Sequence, residues 1–255
     1  MFHHAINPVL FHVGQLDVRW YGVMYVIGII FCYFFARWYA KAHKIKVTEE
    51  QINDIIFYLV LGLIVGGRLF YCIFYDPIFF LKNPVAIIKI WEGGMSFHGG
   101  FLLGILLAWL YCRKQKLKFL KMADLFIMPI PVALAFGRLG NFINGELWGK
   151  PTNLPWGVYF PQAPDAGTVA RHPSQIYEIV KNLIIFGSLL VLSKSKSRKD
   201  GFLFFSFMLF YGVFRIIIEF FRSPEIVIAG ISMGQWLSIP LVIAGVIGIA
   251  KTWKR

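Results

Sequence analysis

The chain has 255 residues, of which 58% are hydrophobic, 18% aromatic and only 15% charged, with a mean hydropathy of +0.64. Soluble domains carry about a quarter charged residues, so this composition excludes an ordinary water-soluble domain and predicts a membrane protein. The net charge of +13 would suit nucleic acid only if the basic residues formed a stripe interleaved with stacking aromatics, and their distribution along the chain excludes that.

Residues 1 to 17 contain no basic leader, continuous apolar run or small-residue cleavage site, so no removable signal peptide is expected. They are expected to lie in the membrane interface, as is the proline-interrupted stretch from Pro77 to Trp91. A span needs about 20 mostly apolar residues. Runs of that kind predict crossings near 21–40, 53–75, 97–112, 122–143, 174–192, 201–221 and 232–250. Thr48 (with Gln51 or Asp54), Asp124, Ser174, Asp200 and Ser232 stand where a side-chain oxygen could cap the first amides of a helix. Cys32, Cys72 and Cys112 form no CxxC or Cys/His cluster and are expected to be buried as small apolar side chains. The expected fold is all-α: one polytopic integral domain over 1–255 with about seven transmembrane helices.

Short cytoplasmic loops concentrate Lys and Arg. Most of the 26 basic residues fall on one set of connections. These are Arg37, Lys41, Lys44 and Lys46; Arg113, Lys114, Lys116, Lys118 and Lys121; Lys194, Lys196, Arg198 and Lys199; and Lys251, Lys254 and Arg255. The opposite set holds Arg19, Lys82, Lys89, Lys150, Arg171 and Arg222. The N-terminus is therefore expected outside and the C-terminus in the cytoplasm.

Charged groups inside a bilayer are costly and mark function by default. With that orientation, Tyr21, Arg68, His98, Arg138 and Arg215 fall in the outer halves of their spans. Asn141, Asn144, Glu146, Arg171, His172 and Gln175 open on the same side. A single outward-facing polar chamber would hold them all. Several arginines in a low-dielectric site call for an anion, and the guanidinium fork suits a pair of phosphate oxygens. The competing expectation is internal neutralisation, Arg215 by Glu219 at i,i+4 and Arg138 by Glu146. His98 sits in Gly93-Gly94-Met95-Ser96-Phe97-His98-Gly99-Gly100, whose glycines would let a backbone or ligand approach closely. HExxH, GxSxG and Walker A motifs are absent, which leaves metalloprotease, serine-hydrolase and nucleotide chemistry without support.

The run Gly137-Arg138-Leu139-Gly140-Asn141-Phe142-Ile143-Asn144-Gly145-Glu146-Leu147-Trp148-Gly149 resembles the signature of the prolipoprotein diacylglyceryl transferases. The resemblance extends to Trp20 through Tyr25, Gly93 through Gly100, Arg171 through Glu178, Tyr211 through Arg215 with Glu219 and Arg222, and Ile231 through Gln235. It implies a seven-span enzyme of the bacterial cytoplasmic (inner) membrane with its active site toward the outer leaflet. The implied reaction moves diacylglycerol from phosphatidylglycerol to the lipobox cysteine of a prolipoprotein signal peptide. It implies catalytic-site roles for His98, Tyr21, Arg138 and Arg215. Substrate-binding roles follow for Arg138, Asn141, Asn144, Glu146, Gly149, Tyr211, Glu219 and Arg222. Neither metal nor cofactor is expected. A transporter or flippase for an anionic lipid would use the same arginines for binding alone.

Overall fold

The computed structural model describes residues 1–14, 16–195, 197–223 and 227–253; Lys196, Lys254 and Arg255 of the expected cytoplasmic loops lie outside them. The chain is predominantly helical: α1 Trp20–Ala42, α2 Glu49–Phe74, α3 Pro77–Lys82, α4 Phe97–Lys114, α5 Phe119–Ile127, α6 Ile130–Ile143, α7 Ser174–Ser193, α8 Phe202–Glu219 and α9 Met233–Thr252. It forms two compact units, one of residues 1–36 and 123–255, the other of residues 37–122.

Among the described residues, α1, α2, α7, α8 and α9 are each long and apolar enough to cross a membrane. The expected crossing at 122–143 is instead a pair, α5 and α6, bent by 43°. Pro129 and Pro131 stand at the break, where the missing N–H groups interrupt the helical ladder. Counting that pair as one span gives six. The expected third crossing is helical as α4, but it is not among these candidates: its 18 residues end in Arg113 and Lys114. The protein is thus a polytopic helical membrane protein.

The interface segments are more structured than expected. β1 (Phe2–His3) pairs in parallel with β4 (Val158–Tyr159), which pairs antiparallel with β5 (Ala170–Arg171). This small sheet covers a core of Val158, Phe160 and Ala163 packed by Phe142 and Trp148. Hairpins β2–β3 (Val9–Val13, Leu16–Arg19) and β6–β7 (Val227–Ile228, Ile231–Ser232) complete the strands. Between α3 and α4 run two 3-10 turns, Pro84–Ile88 and Ile90–Glu92.

Two expected caps are present as full capping boxes, Thr48 with Gln51 and Ser232 with Gln235. Three work differently. Asp124, inside α5, caps a different helix by accepting from the amides of Gly201 and Phe204, both at 2.9 Å, at the start of α8. Gly201, not Asp200, is the N-cap residue there. Ser174 donates to Leu147 O (2.7 Å), so it ties the loop after α6 to α7 instead of capping α7.

In the unit of residues 37–122, α2 and α4 pack through glycine. A Cβ on Gly62 would fall 2.4 Å from Gly104 Cα, and one on Gly66 2.4 Å from Gly99 O. Small residues of this kind drive helix association where lipid removes the hydrophobic incentive. Gly99 and Gly100 are therefore spent on helix packing. All three cysteines are free, with Cys72 and Cys112 buried as expected and Cys32 partly exposed.

Candidate functional site

The unit of residues 1–36 and 123–255 contains a network of buried charges centred on Glu178. Glu178 and Lys181 lie one turn apart on α7, and each side chain is 1% exposed. Arg138 enters from α6, Arg215 and Glu219 from α8, and Arg222 from the residues just after it. Glu178 Oε1 receives Arg215 Nη1 at 2.5 Å and lies 3.8 Å from Arg222 Nη1. Glu178 Oε2 pairs with Lys181 Nζ and lies 3.9 Å from Arg138 Nε. Glu219 Oε2 is 3.0 Å from Arg215 Nη2 and 3.7 Å from Arg222 Nε. Lys181 Nζ also sits 4.1 Å over the ring of Tyr211. A Cβ on Gly234 would meet the Glu219 carboxylate at 2.9 Å, so the start of α9 lies directly against it.

Among the described residues four cations thus share two carboxylates, and the excess of two positive charges among them in apolar surroundings favours an anion. Burial first, and then the like charges of Arg215 and Arg138, hold Arg222 down to about 10. The expected neutralisation of Arg215 by Glu219 is present. That of Arg138 by Glu146 is not: its nearest described carboxylate is Glu178, and it makes one hydrogen bond, from Nη1 to Asn141 Oδ1 at 3.3 Å.

The loop after α6 extends this network. Asn141 Nδ2 and Asn144 Nδ2 both donate to Glu146 Oε1, at 2.8 and 3.3 Å. Gly149 donates its amide to His172 O at 2.8 Å and bridges the backbone of Arg222. A Cβ on Gly149 would fall 2.4 Å from Phe221 O, so its role is to let three backbones meet where Arg222 is delivered. Tyr21 lies against the backbone of Gly140, donates to the Tyr25 hydroxyl at 3.1 Å, and stands in the field of Glu146 and Arg138.

Several residues expected in the chamber have structural work. Arg171 pairs with Asp165 (Nε to Oδ2, 2.7 Å) and donates to Gly149 O, clipping the loop between α6 and α7. His172 Nδ1 lies 2.9 Å from the Tyr177 hydroxyl; burial, and then the Lys150 charge, hold the imidazole below its ordinary value. Arg68 uses its five N–H donors on the carbonyls of Ile87, Gly93, Gly94, Ala86 and Lys89, which removes it from the anion-binding set. His98 is the second residue of α4, exposed, in the unit of residues 37–122.

The sequence pattern of the prolipoprotein diacylglyceryl transferases matches residues 8–251. The chain belongs to that family. It is 46% identical to the phosphatidylglycerol–prolipoprotein diacylglyceryl transferase of Bordetella parapertussis, covering 94% of this chain and 93% of that protein. Against the enzyme of the same name from Cupriavidus metallidurans it is 41% identical, covering 100% and 96%. The Legionella pneumophila enzyme is 44% identical, covering 94% and 95%.

For this diacylglyceryl transferase, sequence reasoning missed the hub. Glu178 appeared only as the last residue of a motif, and its partner Lys181 was not among the candidate residues. The signal was available: a carboxylate and an ammonium at i,i+3 inside an apolar helix share one face, and an intramembrane carboxylate needs cations nearby.

Proposed function

We propose that this transferase, as a single integral domain of seven spans in the bacterial cytoplasmic membrane, uses the Glu178-centred cluster to bind the phosphate of phosphatidylglycerol. The enzyme transfers the diacylglyceryl group to the lipobox cysteine of a prolipoprotein. The sulfur forms a new bond to the glyceryl carbon, the carbon–oxygen bond to phosphate breaks, the thiol proton departs, and glycerol phosphate leaves. A singly charged phosphodiester becomes a phosphomonoester that carries more negative charge. Cations that grip the leaving group more tightly as this charge grows lower the barrier. The observation that carries the reading is the excess of buried cations over carboxylates among the described residues, with Arg138 the least committed of them.

Arg138 and Arg215 hold the phosphate, and Asn141, Asn144, Glu146, Gly149, Tyr211, Glu219 and Arg222 line or shape the site. Tyr21, beside the signature helix, belongs to the catalytic set. For the thiol proton we propose His98, because an imidazole with a reference pKa of about 6.5 is the natural acceptor for a thiol of about 8.5. His98→Gln should lose most transfer while still binding lipid; near-normal turnover at neutral pH would demote it to a structural residue.

The N-terminus lies outside and the C-terminus inside, by the distribution of basic loops. A reporter active only outside should work when fused after Lys150 and be silent after Lys116, and the reverse would overturn the orientation. Incubating purified protein with phosphatidylglycerol and a lipobox peptide tests the whole reading. A thioether-linked diacylglyceryl group on the peptide supports it; lipid movement across vesicles without that adduct would make the cluster a transport site.

A further inference from the structure

Glu146 is held at every point except one. Its carbonyl accepts from Gln175 Nε2 at 2.6 Å and the next carbonyl from Ser174 Oγ at 2.7 Å, and both donors come from side chains buried at the start of α7. Its neighbours Gly145 (φ 67°) and Leu147 (φ 59°) are both left-handed. For leucine that conformation is strained and persists only where the surroundings impose it. Oε1 takes both asparagine amides. No described group bonds to Oε2, and no described cation lies within ion-pair distance of Glu146. Next to it, Asn144 Oδ1 is buried without a donor.

A rigid carboxylate oxygen and a carboxamide oxygen, both waiting for hydrogens, suit a ligand that brings two adjacent O–H donors. Through Asn141 this pair is one carboxamide away from Arg138. A fifth cation there would meet the surplus positive charge of the cluster, whereas hydroxyls donate without adding charge. We propose that Glu146 and Asn144 form a vicinal-diol receptor that reads the glycerol headgroup of the phospholipid donor and so sets its specificity. The proposal rests on Arg138 gripping the adjoining phosphate.

The test compares phosphatidylglycerol with phosphatidylpropanol of the same acyl chains, which has the same charge and no headgroup hydroxyl. Hydrogen bonds to a charged acceptor predict a wild-type preference in kcat/KM of about tenfold to a hundredfold for phosphatidylglycerol. Glu146→Gln places a donor where the open oxygen was. It should bring the ratio within about threefold of one by slowing the diol lipid alone. A wild-type ratio near one, or an unchanged ratio in the folded variant, overturns the proposal, because a merely structural defect slows both lipids alike. Arg138→Lys separates the two readings: it slows both lipids in parallel if the phosphate assignment holds and neither if it fails. If Glu146→Gln does not accumulate, Asn144→Ala is put through the same comparison. Inhibition of the wild type by glycerol 1-phosphate and by propyl phosphate serves as the second readout, and equal inhibition by the two would overturn the diol receptor.

Discussion

Arg68 and Arg138 both stand in apolar helices, yet their surroundings differ in kind. Around Arg68 the two 3-10 turns and the glycine segment turn five carbonyl oxygens inward, one for each N–H, and Phe80 lies 5.1 Å below the guanidinium. That arginine ties the backbone of the two turns and the glycine segment to α2. Arg138 has one amide oxygen and a carboxylate at 3.9 Å, which it shares with three other cations. Burial of a charge therefore does not mark function; the number of its donors left without a protein partner does.

The largest effect expected from breaking this contrast is at Glu178. Glu178→Ala would leave four cations with Glu219 as the one described carboxylate of the cluster, and removing one partner of a buried ion pair destabilises by about 3 to 5 kcal/mol. Thermal unfolding in detergent should show a large drop, whereas a midpoint close to wild type would mean that the cations do not depend on Glu178. Next comes Arg138→Lys, which keeps the charge and loses the planar fork. Transfer should fall about 100-fold to 1000-fold, or about 3 to 4 kcal/mol in barrier, with little change in unfolding. Activity within a few-fold of wild type for equal amounts of folded protein would show that charge alone suffices.

Arg68→Lys should show the opposite pattern. Three ammonium donors cannot serve five carbonyls, so stability falls by about 1 to 3 kcal/mol, and lost transfer should track lost folded protein. A lower rate per folded molecule with unchanged stability would move Arg68 into the functional set. The smallest effect is at Thr48, whose capping box starts α2 at the end opposite Arg68. Thr48→Ala should cost about 1 kcal/mol of stability and leave the transfer rate alone; a change in turnover would contradict a purely local role.

The helices follow from the sequence because lipid solvation acts residue by residue: long, mostly apolar runs predict α1, α2, α7, α8 and α9, and Thr48 and Ser232 signal their own helix starts. The signature motif and the arginines within spans were legible for the same reason, since an intramembrane charge is conspicuous against its neighbours. Pairing between segments distant in sequence was not legible. Asp124 caps a helix 77 residues away, Glu178 reaches Arg215 across 37 residues, and Gln175 pins Glu146 across 29. Spacing along one helix can suggest Arg215 with Glu219, because i,i+4 fixes their separation locally. Which carboxylate meets Arg138, and which donors of each arginine stay open, depends on how α6, α7 and α8 pack, and only the tertiary structure decides that.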